Sequence, residues 1–246
     1  MAELTLIGGP TALIEYGGLR WLTDPTLSPP GEQADELTKT TGPAIEAGEL
    51  GAVDVVLLSH DEHSDNLDPA GRAFLAQAGR VLTTTGGAGR LATEATGMEP
   101  WSEVTLDGVR VTAVPAQHGP PGCEAVVGEV IGFVLDDGAS RIYVSGDNAS
   151  VAVAREIGER AGPIDVAILF AGAVQIPEIL DGAYLTLSGD RAAQVADILA
   201  APVVIPLHFE GWTHFTQGAA ELRASFAGYG LTERLHLPER GVPLRF

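Results

Sequence analysis

Val53-Asp54-Val55-Val56-Leu57-Leu58-Ser59-His60-Asp61-Glu62-His63-Ser64-Asp65-Asn66-Leu67-Asp68 begins as an apolar run and ends in a knot of side chains that bind metals. The run reads as a buried strand, too short for a helix and rich in β-branched residues. His60, Asp61, Glu62, His63, Asp65 and Asn66 then follow within seven positions, where such a strand would meet solvent. Imidazole, carboxylate and amide groups at that density are the donor types of a divalent metal site.

Working outward, Leu4 to Ile7, Ala12 to Tyr16 and Leu19 to Thr23 are β-prone runs separated by Gly8-Gly9-Pro10 and Gly17-Gly18, the punctuation of an antiparallel meander. The third run ends in Asp24-Pro25, where the aspartate either starts a turn or supports the metal knot. Residues 28–51 read as loop with one helical piece. Asp68 before Pro69 has the form of an N-cap with proline in the first turn, opening a helix to Ala78. Strands are predicted at 80–85, 104–106, 109–115, 126–135 and 141–145. After residue 150 helix and strand alternate: helix 151–161, strand 166–170, helix 188–199, strand 203–207. Antiparallel strands first and α/β alternation last predict an α/β (α+β) fold, two packed sheets with helices outside, as one domain over residues 1–246.

The 246 residues carry a formal net charge of -19, with one lysine, Lys39, and 13 dispersed arginines. That balance argues against nucleic acid, whose phosphates need a basic footprint, and suits attraction of divalent cations. Cys123 is the single cysteine, which excludes an intrachain disulfide. The opening residues lack a signal-peptide pattern and no apolar run is long enough to span a bilayer, so the expectation is a cytoplasmic protein with no membrane partner. The Ala-, Gly- and Arg-heavy usage suggests a GC-rich bacterial source. Monomer and homo-oligomer both remain open.

His60, His118 and His208 each end an apolar strand, and Asp147 ends another, in Ile142-Tyr143-Val144-Ser145-Gly146. Loops leaving strand ends gather on one rim of a layered α/β fold, so these residues are expected to converge with His63. A lone buried histidine is more often a satisfied core residue, but four sharing one context point to ligands of zinc or manganese. His236 lacks that context and is expected to serve packing or the surface.

The ordered set Ser59-His60-x-x-His63-x-Asp65-Asn66, His118, Ser145-Gly146-Asp147 and Pro206-Leu207-His208 resembles the metallo-β-lactamase superfamily. The opening Leu6 to Glu15, Leu22-Thr23-Asp24-Pro25 and His208 to Phe215 are similar to its L-ascorbate-6-phosphate lactonase-like branch. The resemblance implies a four-layer αββα sandwich and one or two divalent ions, zinc or manganese. By the same resemblance, His60, His63 and His118 hold one ion, Asp65 and His208 a second, and Asp147 bridges them. It further implies hydrolysis of a small-molecule ester, lactone or phosphoester by a metal-held hydroxide, with Asp65 orienting the water. His214 is expected either at the leaving group or as a packed, aromatic-flanked residue. The alternative is a degenerate member that binds a metal or metabolite without turnover.

This chain departs from the superfamily's usual His-x-His-x-Asp-His by one residue. Two registers result. Either Asn66 stands where a histidine ligand is usual, or Glu62 does, and both replace a nitrogen donor with an oxygen donor.

Overall fold

The computed structural model describes residues 2–33, 35–91 and 93–246, and these fall into two compact units. Unit 1 comprises residues 1–99, 210–213 and 238–246; unit 2 comprises residues 100–209 and 214–237.

In unit 1, β1 (Glu3–Gly8), β2 (Thr11–Tyr16) and β3 (Leu19–Thr23) form the predicted meander. Gly17 and Gly18 have φ of 61° and 81°, the left-handed pair that a two-residue hairpin loop requires and that glycine adopts without steric cost. β4 (Gly31–Glu32) and β5 (Thr38–Lys39) make a small separate hairpin. The helical piece expected within residues 28–51 is a single 3-10 turn, Ala47–Glu49. β6 (Val55–Leu57), β7 (Arg80–Thr84) and β8 (Thr96–Met98) then join β3 in parallel. The C-terminal Pro243–Arg245 pairs with β1 and completes a seven-stranded sheet. Helices α1 (Pro69–Phe74) and α2 (Thr85–Arg90) link the parallel strands. Ile7, Leu22, Val56, Leu58, Phe74 and Val81 belong to the buried core of this unit, and each such side chain contributes about 1.5–3 kcal/mol by leaving water.

Unit 2 holds a six-stranded sheet of β9 (Glu103–Leu106), β10 (Val109–Pro115), β11 (Ile131–Asp136), β12 (Arg141–Val144), β13 (Val166–Phe170) and β14 (Val203–Leu207). β9 to β12 pair antiparallel, while β12, β13 and β14 run parallel. A parallel neighbour needs a crossover, which α4 (Val151–Ala161) and α5 (Gly189–Leu199) supply. The strand expected over 126–135 begins only at Ile131. Glu124–Val127 is a short helix, α3, and Gly128 at φ 79° ends it. Val126, at the start of the expected strand, is 61% exposed. A last helix, α6 (Ala219–Gly228), packs Leu222 and Phe226 into the core with Ala193 and Ala196 of α5 and Ile157 of α4. The chain is therefore mixed α/β, as predicted. Among the described residues no helix is long and apolar enough to cross a membrane.

Candidate metal centre

In unit 1 the parallel register Thr23↔Leu57 brings the ends of β3 and β6 side by side. Asp24, buried and at φ 28°, receives the Ser59 backbone N–H on Oδ1 at 2.6 Å and donates its own N–H to Leu57 O at 3.0 Å. Of the two readings of Asp24, the supporting one describes its contacts: it fixes the backbone immediately before His60. Ser59 Oγ lies 3.0 Å from His60 Nδ1, so the other ring nitrogen, Nε2, is turned toward His63 Nδ1 at 2.9 Å. The two rings stand edge to face, with centroids 4.8 Å apart and planes at 85°. Asp65 follows, buried, in the same turn.

The extra acidic residues have other work. Arg90 Nη2 sits 2.6 Å from Asp61 Oδ1 and 3.0 Å from Glu62 Oε2, and Arg72 donates to the Asp61 carbonyl at 2.8 Å. Glu62 is thus taken up by Arg90. Fully buried Asn66 directs its amide Nδ2 toward Ser59 Oγ at 3.5 Å, the same oxygen that meets His60. Asp68 caps α1 through Gly71 N at 2.8 Å. It also receives Leu27 N at 2.9 Å, Ser28 N at 2.7 Å and the Lys39 ammonium at 3.1 Å. Its four donors clamp the loop after β3 to the loop after β6.

In unit 2 three strand ends converge. His118 follows β10, Asp147 follows β12 and His208 follows β14, all buried. The Asp147 carboxylate is shared between two rings, with Oδ2 3.7 Å from His118 Nδ1 and Oδ1 3.7 Å from His208 Nδ1. His118 Nδ1 donates to Leu185 O at 2.7 Å, which leaves the lone pair on Nε2. Asn148 Oδ1 receives Gln117 N and Ser150 N, each at 3.1 Å, and so ties the residue before His118 to the start of α4.

His208 occupies the left-handed region at φ 57°, a conformation that costs a non-glycine residue of order 1–3 kcal/mol and that clusters at functional sites. Its ring stacks on Phe170 (centroids 5.3 Å, 25°) and leans on Phe215 at 4.4 Å. Gly172 allows this placement, since a Cβ there would run into the His208 carbonyl. Gly172→Ala is expected to displace His208 and weaken metal retention about tenfold or more, the scale seen when a ligand loses its support. Competition with a coloured chelator measures it, and unchanged affinity would show that His208 is not a ligand. His214 packs edge to face on Phe215 at 4.7 Å. His236 is half-buried and donates its backbone N–H to Val204 O.

Sequence reasoning singled out the six ligand candidates and offered Asp24 as one support, but missed the others. Asn148 had a signal, since it directly follows Asp147, and Gly172 follows β13 after one intervening residue. The Leu185 carbonyl had none, because a backbone acceptor leaves no trace in residue type.

The donor set fits a divalent metal ion. Two ligands about 2.0–2.1 Å from one zinc stand roughly 3 Å apart, the spacing of the facing His60 and His63 nitrogens. Asp147 sets one carboxylate oxygen 3.7 Å from a ring nitrogen of His118 and the other 3.7 Å from a ring nitrogen of His208. The ring nitrogens of His60 and His118 that are not held by Ser59 or Leu185 are left to coordinate.

Residues 20–209 match the family described as the beta-lactamase superfamily domain. The chain is similar to a metal-dependent hydrolase of Thermococcus kodakarensis, at 25% identity over 227 residues that cover 91% of each chain. Among solved structures it is similar to an isothiocyanate hydrolase from Delia radicum gut bacteria, at 20% identity and a TM-score of 0.85 over 99% of this chain and 98% of that one. It is also similar to a possible metal-dependent hydrolase of Veillonella parvula, at 15% identity and a TM-score of 0.86 over 99% of both chains. At these identities the structural likeness is one of fold.

Proposed function

The chain belongs to the beta-lactamase superfamily domain family, and from that membership we propose that it is a metal-dependent hydrolase of a small ester, lactone or phosphoester. The observation that carries the reading is the convergence of buried His118, Asp147 and His208 from three strand ends. In this reading the two units are halves of one domain of the metallo-β-lactamase type. His60, His63 and His118 hold one ion, Asp65 and His208 a second, and Asp147 is shared by both. The finer resemblance, to the L-ascorbate-6-phosphate lactonase-like branch, supports the lactone and phosphoester classes.

A bound divalent ion, zinc or manganese, would supply Lewis acidity and draw the pKa of a coordinated water down toward about 7. The protein's own contribution is to hold the donors ready. Asp24 and Ser59 set His60, Leu185 sets His118, and Gly172 with Phe170 and Phe215 sets His208. Asp65, buried two residues after His63, would orient the attacking water and take its proton. His214, half-buried against Phe215, stands in reserve for the leaving group. A small-molecule substrate, with neither nucleic acid nor membrane as partner, accords with the net charge of -19.

Protein purified without chelator and loaded with zinc or manganese is expected to retain one to two ions per chain by elemental analysis and to cleave a simple aryl ester. Near-zero bound metal after loading would overturn the hydrolase reading. Full metal with no turnover across ester, lactone and phosphoester probes would instead mark a non-catalytic binder.

A further inference from the structure

We infer that Arg191 reads an anionic group on the substrate, a carboxylate or phosphate set apart from the bond that is cleaved. The inference rests on the hydrolase reading and narrows its substrate class.

A cavity of about 370 Å³ opens beside His118, within the size range of small-ligand sites. Gln117 and Gly119, which flank that histidine in the chain, form part of its wall, and Tyr184 and Arg191 form another part. None of its described lining residues is Asp or Glu, although acids outnumber bases 33 to 14 in the chain. Within this lining a single cation therefore meets no carboxylate competing for it.

Arg191 is that cation. Its Nη1 donates to Ala149 O at 3.1 Å, and its guanidinium lies 5.0 Å from the Tyr184 ring centroid. Among the described residues no carboxylate comes within ion-pair distance of it, whereas Arg90, Arg110, Arg141 and Arg160 each pair with an acid. A guanidinium has five N–H donors in a planar fork. One is committed here, and the rest suit a two-pronged oxyanion. The position is also held. Arg191 N donates to Ser188 Oγ at 3.3 Å in the first turn of α5, and Leu185, one residue after Tyr184, receives His118 Nδ1. The short stretch from Tyr184 to Arg191 thus sets both the anion pocket and the orientation of a metal ligand. The Tyr184 ring gives the pocket a flat wall suited to a cyclic or aromatic body.

Phenyl acetate and 4-carboxyphenyl acetate share one scissile ester and differ by one carboxylate. Metal-loaded protein is expected to favour the carboxylated ester about tenfold in kcat/KM. Arg191→Ala should erase that ratio, and Arg191→Lys, which keeps the charge and loses the fork, should keep part of it. Independently of turnover, 4-hydroxybenzoate and inorganic phosphate are titrated by calorimetry into wild type and Arg191→Ala, with Arg191→Gln as the substitute should alanine impair folding. Binding of either anion weakened about tenfold or more by the substitution supports the pocket, and the anion that binds assigns carboxylate or phosphate. An unchanged ratio, equal binding by both proteins, or binding of neither anion by wild type overturns it. Turnover of neither ester with anion binding intact removes the ester class from the hydrolase reading and leaves the pocket standing.

Discussion

Asp147→Ala is expected to lower bound metal below half of the wild-type content and to reduce kcat/KM at least about 100-fold. Loss of a mere supporting partner costs 10–100-fold in metal affinity or activity, and a ligand should exceed that. Asp147 is 1% exposed and sets one oxygen 3.7 Å from each of two buried imidazoles. Elemental analysis beside steady-state kinetics reads the outcome, with His236→Ala as the control that should change neither. Full metal and full turnover in Asp147→Ala would show that the bridge lies elsewhere.

Asp68→Ala should be the most destabilising of the simple substitutions, by about 3–5 kcal/mol, the cost of removing one partner of a buried ion pair. The pair is buried on both sides, with side-chain exposures of 2% for Lys39 and 0% for Asp68. The change also strips a cap from α1 and two backbone donors, Leu27 N and Ser28 N, of their acceptor. A domain of ordinary stability would lose a third or more of its margin. The deficit should depend on pH in a definite direction. Desolvation pulls the Lys39 ammonium below its usual pKa of 10.5, and Asp68 pulls it partly back. Between the lowered folded value and the unfolded one, the unfolded chain binds more protons, so stability rises with pH. Removing Asp68 widens that window, and the deficit should be full below it and shrink as pH climbs toward 10.5. Urea unfolding at pH 7 and pH 10 tests this. Adding Lys39→Met to Asp68→Ala should restore much of the loss, because an apolar pair of similar volume needs no counter-charge. An unshifted midpoint in the single variant would refute the clamp.

Much of this was legible because strands and ligands announce themselves in side-chain type. The meander through Gly17-Gly18, the strand into His60 and the strand-and-helix alternation after residue 150 all follow local rules of period and turn. What was missed obeys longer-range packing. Thr85-Gly86-Gly87-Ala88-Gly89-Arg90 is a poor helix by propensity, yet α2 forms: Thr84 caps it through Gly87 N, Gly87 permits close approach to Asp61, and Arg90 reaches that same carboxylate. The apolar stretch from Val126 to Leu135 reads as one strand until Gly128 turns left-handed and splits it. Pro243–Arg245 becomes a strand only because β1 offers an edge. At the site, residue type pointed to the ligand candidates but left the register between Glu62 and Asn66 open. Arg90, on a helix that local pattern could not foresee, pairs with Glu62.

Lys39 is the protein's single lysine, and it is 3% exposed, with its ammonium on Thr26 O and Asp68 and 5.7 Å from the Trp212 ring. Side-chain acylation by an amine-directed reagent is therefore limited to one position, and that position becomes reactive only when the Thr26, Asp68 and Trp212 enclosure opens. Mass spectrometry of the peptide containing Lys39 turns this into a single-site clock for local opening of unit 1, built into the natural sequence and needing no engineered probe.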